Sequence, residues 1–412
     1  VPVCPQSSSS RDTAGGGLPA DWTENFNLYD PGYLADPYAV WAAMRTECPV
    51  ARTDRHGGGY LPSRHADITA AALDPGTFSS RAGEVTGPVP DAGRELKLPP
   101  VTSDPPQHAD DRRLLVPLFT RQAVARYEEL TRATAARLID QFEHRGEVDA
   151  ANEYARDIPV VVTTRMLGLP AEDHERFHEW TVQMLKEGAA DFRARAEAVH
   201  AIHDYFARLV RSRAVEPDSG VFSFLLDRQA EDPSLTDDRI VGLSFLMLIA
   251  GIDTTWSALG AMLWHLATHP TDRRVLAADR TALPAAVDEL LRLYAPVTIG
   301  RVVTAQATLG GRELCPGERV ILPWAAANRD PEVFDHPDRF DLARDGRRHL
   351  AFGVGIHRCL GAHLALLEIR VAMDEWLRRI PEFTLACDQV EWTAGNTRGP
   401  KSLPLRISPA LG

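Results

Sequence analysis

The chain uses little cysteine. Five of its 412 residues are cysteines (Cys4, Cys48, Cys315, Cys359 and Cys387), and none stands in a Cys-x-x-Cys pair. An odd, scattered set argues against a disulfide framework and a zinc ribbon, and reduced thiols in a cytoplasmic protein are expected. Positive charge is also in short supply. Lys and Arg number 45 against 57 Asp and Glu, a net charge of −12, which argues against a nucleic-acid binder. No basic stretch followed by an apolar run opens the chain, so no secretory signal is visible, and residues 1–20 are expected to form a disordered leader. The longest apolar stretch, Ile240 to Ile252, is broken by glycine and serine and is too short to span a bilayer. No long linker divides the chain. The loop-like stretches Ser79–Pro100 and Val215–Gly220 lack the length of an interdomain linker, so residues 21–412 are expected to form a single domain.

What the sequence does have is helical periodicity. It predicts helices near Asp104–Leu115, Ala123–Arg145, Asn152–Leu167, Ala171–Glu187 and Phe192–Arg213. Others are predicted over Asp238–His269, Leu283–Tyr294 and Leu360–Arg379. Strand-like pieces are fewer: Gly59–Ser63, Ile299–Thr304, Ala307–Leu314 with a hairpin turn at Gly310-Gly311, Arg319–Pro323, Val390–Thr393 and Leu403–Ile407. The fold class is therefore mainly α with small β-sheets, an α+β protein.

One cysteine stands out. The segment AFGVGIHRCLG, Ala351 to Gly361, places Cys359 after two glycines and just ahead of a helical pattern that Pro381 ends. Free N–H groups and the positive end of a helix dipole would face that thiol and favour the thiolate. Gly353 and Gly355 let the backbone turn tightly beside something flat and bulky. Three readings stay open on the residues alone: a buried structural cysteine, a nucleophile with His357 as its base, or a metal ligand. The pattern Phe-x-x-Gly-x-His-x-Cys-x-Gly, met by Phe352, Gly355, His357, Cys359 and Gly361, resembles the haem-binding signature of the cytochrome P450 family. The resemblance implies that fold, with haem b (iron protoporphyrin IX) between a long central helix and the cysteine-loop helix. It also implies Cys359 as the iron ligand, a thiolate that pushes electron density toward the metal.

Other segments agree with the family in chain order. Ile249-Ala250-Gly251-Ile252-Asp253-Thr254-Thr255 puts acid, hydroxyl and glycine inside an apolar helix. A tolerated polar notch, with threonine bonded back to the Ala250 carbonyl, is the plain reading. The segment is similar to the family's oxygen-binding stretch, where the helix widens. By that resemblance Ala250 and Gly251 lie against the haem, Thr254 hydrogen-bonds the oxygen being activated, and Asp253 relays protons from solvent. Glu289-x-x-Arg292 resembles the family's structural ion pair, joined by Arg339 of Pro337-Asp338-Arg339-Phe340. His108, Arg112, Arg301 and His357 match positions that bind haem propionates, for which forked cationic donors are suited. Phe352, Gly353 and Gly361 would lie against the ring.

The resemblance covers about Asn27 to Ile407 and implies a monooxygenase that inserts one atom of O2 into an apolar organic molecule by hydroxylation, epoxidation or dealkylation. Val85, Val89, Leu98, Met184, Leu246 and Val297 are candidates for the pocket wall. Electrons would come from a ferredoxin or flavodoxin with its reductase, docked on Arg112, Arg113, Arg344, Arg347 and Arg348. A haem sensor without turnover, a peroxide-driven or oxygen-independent haem-thiolate enzyme, and a cysteine hydrolase are the alternatives.

Overall fold

A computed structural model of the chain describes residues 22–85, 89, 96–187, 191–212, 220–344, 348–393 and 395–408. The expected leader lies outside these residues. The fold is organised by one helix, Asp237–Thr268. Thr236 caps it, its hydroxyl accepting the Arg239 N–H, and two aspartates complement the dipole in the first turn. A helix apolar on most sides belongs in a core, and this one packs against helices Asp157–Leu167, Phe192–Ser212, Leu283–Tyr294 and Ala362–Arg379. It is long and apolar enough to cross a membrane, yet 78% of its most apolar window is buried inside the protein, which makes it a core helix.

Two hydrophobic clusters share this helix. Residues from Ile240 to Ile252 feed one, beside Phe206, Phe222 and Met166. Residues from Trp256 to Ala267 feed the other, beside Trp376, Leu290 and Ile321. The polar step Asp253-Thr254-Thr255 falls on the seam between the two.

The sheets are small. Strands β1 (Val50–Thr53), β2 (Gly59–Pro62) and β3 (Phe78–Ser79) come early in the chain. Strand β4 (Glu147–Asp149) follows, and then β5 (Thr298–Val303), β6 (Ala307–Leu309), β7 (Arg312–Leu314) and β8 (Arg319–Pro323). Strands β9 (Glu382–Leu385) and β10 (Pro404–Ser408) are last. A five-stranded sheet runs β1-β2-β8-β5-β3, with β2 and β8 parallel. It pairs Arg301 with Val320. A three-stranded sheet runs β4-β10-β9, and β6-β7 form the hairpin predicted at Gly310-Gly311, both of whose φ angles are positive.

The mainly α expectation holds, and helix Leu283–Tyr294 matches its prediction residue for residue. The predicted strand Val390–Thr393 is absent: only a single bridge, Trp392↔Pro400, forms there. Helices Pro31–Ala35, Pro37–Glu47, Val221–Glu231 and Pro270–Ala278 went unread. The first two carried a signal, Asp30-Pro31 and Asp36-Pro37, since each aspartate caps the helix whose first residue is the proline. Among the described cysteines, Cys315, Cys359 and Cys387 are free.

Candidate active site

Where the two clusters meet, a cavity of about 280 Å³ opens. The cysteine loop forms one wall. Gly353 and Gly355 have φ of +66° and +73°, backbone that side-chain-bearing residues avoid. A Cβ on Gly355 would also lie 3.0 Å from Leu73 Cδ2. These turns fold the loop back until the Cys359 N–H donates to the Phe352 carbonyl at 2.7 Å. The following helix starts at Ala362, so Cys359 stands three residues before it, further out than expected. Its side chain is solvent-exposed and lines the cavity. Burial pushes the thiol's pKa up, and the Gly361 N–H and the Arg358 and Arg112 charges only partly oppose this. That corrects the expectation of a lowered thiol pKa: apolar enclosure outweighs the helix end. A Cβ on Gly361 would meet nothing within 4 Å, so this glycine leaves open space beside the sulfur.

The long helix lines the same cavity through Leu246, Ala250, Gly251 and Thr254. Thr254 Oγ1 donates to the Ala250 carbonyl at 2.9 Å, the plain bond anticipated for it. The helix stays regular through this segment, without the widening that the resemblance implied. Gly251 has a packing reason: a Cβ there would sit 2.6 Å from Thr163 Oγ1 on the neighbouring helix. Asp253 does not line the cavity. It is fully buried, and Thr397 Oγ1 donates to its Oδ2. The acid–alcohol pair is therefore adjacent in sequence but divided in space, with the hydroxyl on the cavity wall and the acid turned to the C-terminal loop. The solvent link expected for Asp253 is not a direct one.

Five basic side chains line the cavity: the expected His108, Arg112, Arg301 and His357, and also Arg358. His108 and Arg112, four apart on helix Gln107–Leu115, share one face as expected. The rings of His108 and His357 lie 4.3 Å apart. His357 Nε2 meets Ser80 Oγ at 2.9 Å. Burial, with the Arg301, His108 and Arg112 charges beside it, pushes the His357 pKa down to about 3. Arg301 is buried on β5, and burial lowers its pKa to about 10, which leaves it cationic at neutral pH. Its NH1 donates only to the Gly300 carbonyl, and among the described residues neither Arg301 nor Arg112 has an ion-pair partner. His108 Nε2 is buried without a hydrogen bond. A buried cation without an acid is costly. Three arginines and an orphaned imidazole around one cavity fit a ligand bearing carboxylates, and a cysteine in the same lining fits a metal. The residues present thus fit haem, which would supply both the carboxylates and the metal.

The structural pair also holds, with one correction. Arg292 forks onto Glu289 with two contacts of 2.8 Å, both side chains buried. Its other donors reach the carbonyls of Asn328, Pro337 and Arg339. Arg339 supplies only its carbonyl. The guanidinium that joins Glu289 belongs to Arg344, at 3.0 Å, and this removes Arg344 from the expected docking patch. Arg347 lies outside the described residues. Of the six expected wall residues, Leu246 and Val297 line the cavity. Val85, Leu98 and Met184 are packed in the two cores instead, and Val89 does not line it. Sequence reading missed Glu368, which lines the cavity from the helix after Cys359. Its signal was an acid at helical spacing on an otherwise apolar face.

Comparison with known proteins agrees with this geometry. The family model "Cytochrome P450" matches residues 181–393. The chain is 34% identical to the vitamin D(3) 25-hydroxylase of Pseudonocardia autotrophica, over 94% of this chain and 98% of that one. It is 33% identical to the nocardicin C N-oxygenase of Nocardia uniformis subsp. tsuyamanensis, over 93% and 98%. Among solved structures, CYP109E1 from Bacillus megaterium, in complex with testosterone, superposes with a TM-score of 0.83 at 27% identity, covering 91% of this chain and 98% of that one. The cavity, its cysteine, its cationic rim and these likenesses together show that the chain belongs to the cytochrome P450 family, the haem-binding monooxygenases.

Proposed function

We propose that Cys359 holds the haem iron, that His108, Arg112, Arg301 and His357 bind its propionates, and that Thr254 and Asp253 manage protons for O2 activation over an apolar substrate. Haem bound there supplies the redox chemistry that transfers one oxygen atom to the substrate. The observation that carries this reading is that Cys359, Thr254 and the basic side chains His108, Arg112, Arg301 and His357 all line one cavity. The Thr254 hydroxyl must leave the Ala250 carbonyl to act, a rotation of one side chain. Asp253 then exchanges protons through Thr397 rather than straight to solvent. The substrate space is bounded by Val101, Leu246, Met247, Val297 and Ile299, an apolar lining that binds by desolvation. The names of the vitamin D(3) hydroxylase and of the testosterone complex support a bulky alicyclic substrate here.

The redox partner in this reading is an acidic ferredoxin or flavodoxin. Exposed Arg348 and Arg358 flank the cysteine loop, which also exposes the apolar Ile356, and Leu73, another exposed apolar side chain, packs beside Gly355 of that loop. An apolar centre with a basic rim suits such a partner. The reading takes residues 21–412 as one domain working in the cytoplasm. The test is Cys359→Ser. The variant is expected to lose the thiolate-type carbonyl spectrum and substrate oxidation together. An unchanged spectrum would place the iron on another atom.

A further inference from the structure

Tyr294 heads a hydrogen-bonded relay that oxygen insertion does not use. It is buried at the end of helix Leu283–Tyr294. Leu291, three residues earlier on the same helix face, lines the active-site cavity, as do Pro296 and Val297 just beyond. The Tyr294 hydroxyl lies 2.8 Å from His265 Nδ1, and His265 Nε2 lies 3.1 Å from Asp272 Oδ2. His265 is 2% exposed, whereas the Asp272 side chain is 26% exposed. Burial, with the His269 and Arg329 charges beside it, pushes the His265 pKa down to about 3. At neutral pH the imidazole therefore carries one N–H. That N–H belongs on Nε2, donating to Asp272, because a carboxylate only accepts. Nδ1 then accepts from the phenol. The chain runs one way, from a buried phenol through an imidazole to a carboxylate that meets solvent.

Tyr154 shows the contrast. It is fully buried too, but its hydroxyl donates to the Ala372 carbonyl, which cannot take the proton away. Around Tyr294 the charges favour losing proton and electron together. The Arg329 guanidinium lies 5.5 Å from the centre of the Tyr294 ring, so an oxidised phenol that kept its proton would face a like charge. An imidazolium at His265 would meet the same repulsion. Passing the Nε2 proton to Asp272 as the phenolic proton arrives avoids both, and burial already raises the Asp272 pKa. His265 Nδ1 is within the reach a base needs for the proton it abstracts. Trp264, half-buried, and Tyr38 flank the phenol ring at 5.7 and 6.2 Å between centres.

We propose that Tyr294 is a redox-active side chain that takes up oxidising equivalents escaping from the active site. The inference rests on the oxygen-activating chemistry of the family in this cavity, and not on the roles given to Thr254 or Asp253. When oxygen or peroxide is activated with no substrate to receive the atom, Tyr294 gives one electron to the oxidant. Its phenolic proton goes to His265 Nδ1, the Nε2 proton goes to Asp272 Oδ2, and a neutral phenoxyl radical remains. A soluble one-electron reductant, such as ascorbate, returns the electron through the Trp264 ring, and the proton comes back from Asp272.

The test mixes the full-length ferric holoprotein with hydrogen peroxide, without substrate, and freezes it rapidly for electron paramagnetic resonance. Protein grown with ring-deuterated tyrosine should show a narrowed signal, which identifies a phenoxyl radical. Tyr294→Phe should lose most of that signal, and Tyr154→Phe should keep it. Asp272→Asn keeps the phenol but ends the relay, and should cut the radical yield several-fold. Tyr294→Phe should also lose its carbonyl spectrum several-fold faster under peroxide, although its substrate oxidation before exposure matches the wild type. An equal signal in Tyr294→Phe, an undiminished yield in Asp272→Asn, or no phenoxyl radical in the wild type would overturn the proposal. The wild-type and Asp272→Asn measurements need no change to the core. A failure of the Cys359 assignment shows separately, in the carbonyl spectrum of Cys359→Ser.

Discussion

Glu368 offers the sharpest test of the site's energetics. It is wholly buried, and burial lifts its pKa from 4.5 to about 8. Its Oε2 has no hydrogen-bond partner. In the folded protein this carboxyl keeps its proton up to about pH 8, whereas the unfolded chain releases it above pH 4.5. The unfolded state binds fewer protons between these values, so stability falls as pH rises through the window. Below pH 4.5 both states are protonated and nothing is lost; above about pH 8 both are ionised and the loss levels off. At about 1.4 kcal/mol per pH unit the loss sums to roughly 5 kcal/mol, a large part of the ~5–15 kcal/mol that holds a typical domain folded. Histidines with lowered pKa, such as His265 and His349, act in the opposite sense at lower pH. The comparison must therefore be with Glu368→Gln, which keeps the shape and removes the titration. Urea unfolding of both holoproteins from pH 5 to 8.5 is the assay. The wild type should lose stability relative to the variant steadily across that range, whatever constant offset the amide adds. Parallel curves would refute the argument.

Four further outcomes follow from the contacts. Thr254→Ala should keep haem and substrate binding yet divert reducing equivalents to hydrogen peroxide, measured as peroxide formed per NADPH consumed; tightly coupled turnover would rule out a proton role for the hydroxyl. Gly251→Ala should destabilise by about 1–3 kcal/mol despite alanine's better helix propensity, because its Cβ would meet Thr163 Oγ1 at 2.6 Å. Adding Thr163→Ala should recover most of that loss in a double-mutant cycle. Glu289→Gln should cost about 3–5 kcal/mol by stranding the buried Arg292 charge, while Arg339→Ala, which removes no contact to Glu289, should cost less than ~1 kcal/mol by chemical denaturation. Thr397→Val removes the hydroxyl that donates to Asp253, and its turnover should show a larger solvent isotope effect than Thr397→Ser.

Much of the site was legible from local patterns. The cysteine loop could be read because two glycines with positive φ and a cysteine before a helix form one continuous stretch. His108 and Arg112 could be read because a spacing of four residues fixes a shared helix face. Reading failed where a partner lay far along the chain. Arg344, not Arg339, reaches Glu289, and nothing in Pro337–Phe340 distinguishes a carbonyl contribution from a guanidinium one. The pocket wall was the weakest part, since a core valine and a cavity valine have the same sequence signature. Val85 went to the core and Val297 to the cavity.

By itself the amino-acid order determined the helices, the loop that presents Cys359 and the set of groups able to serve haem, because period, glycine placement and capping act over a few residues. Only the tertiary structure decided which way those groups face. Packing turned Asp253 toward Thr397 and away from the cavity, and desolvated Cys359 and Glu368 so that both pKa values rise. Desolvation and pairing depend on neighbours that distant segments bring together, and no local pattern encodes them.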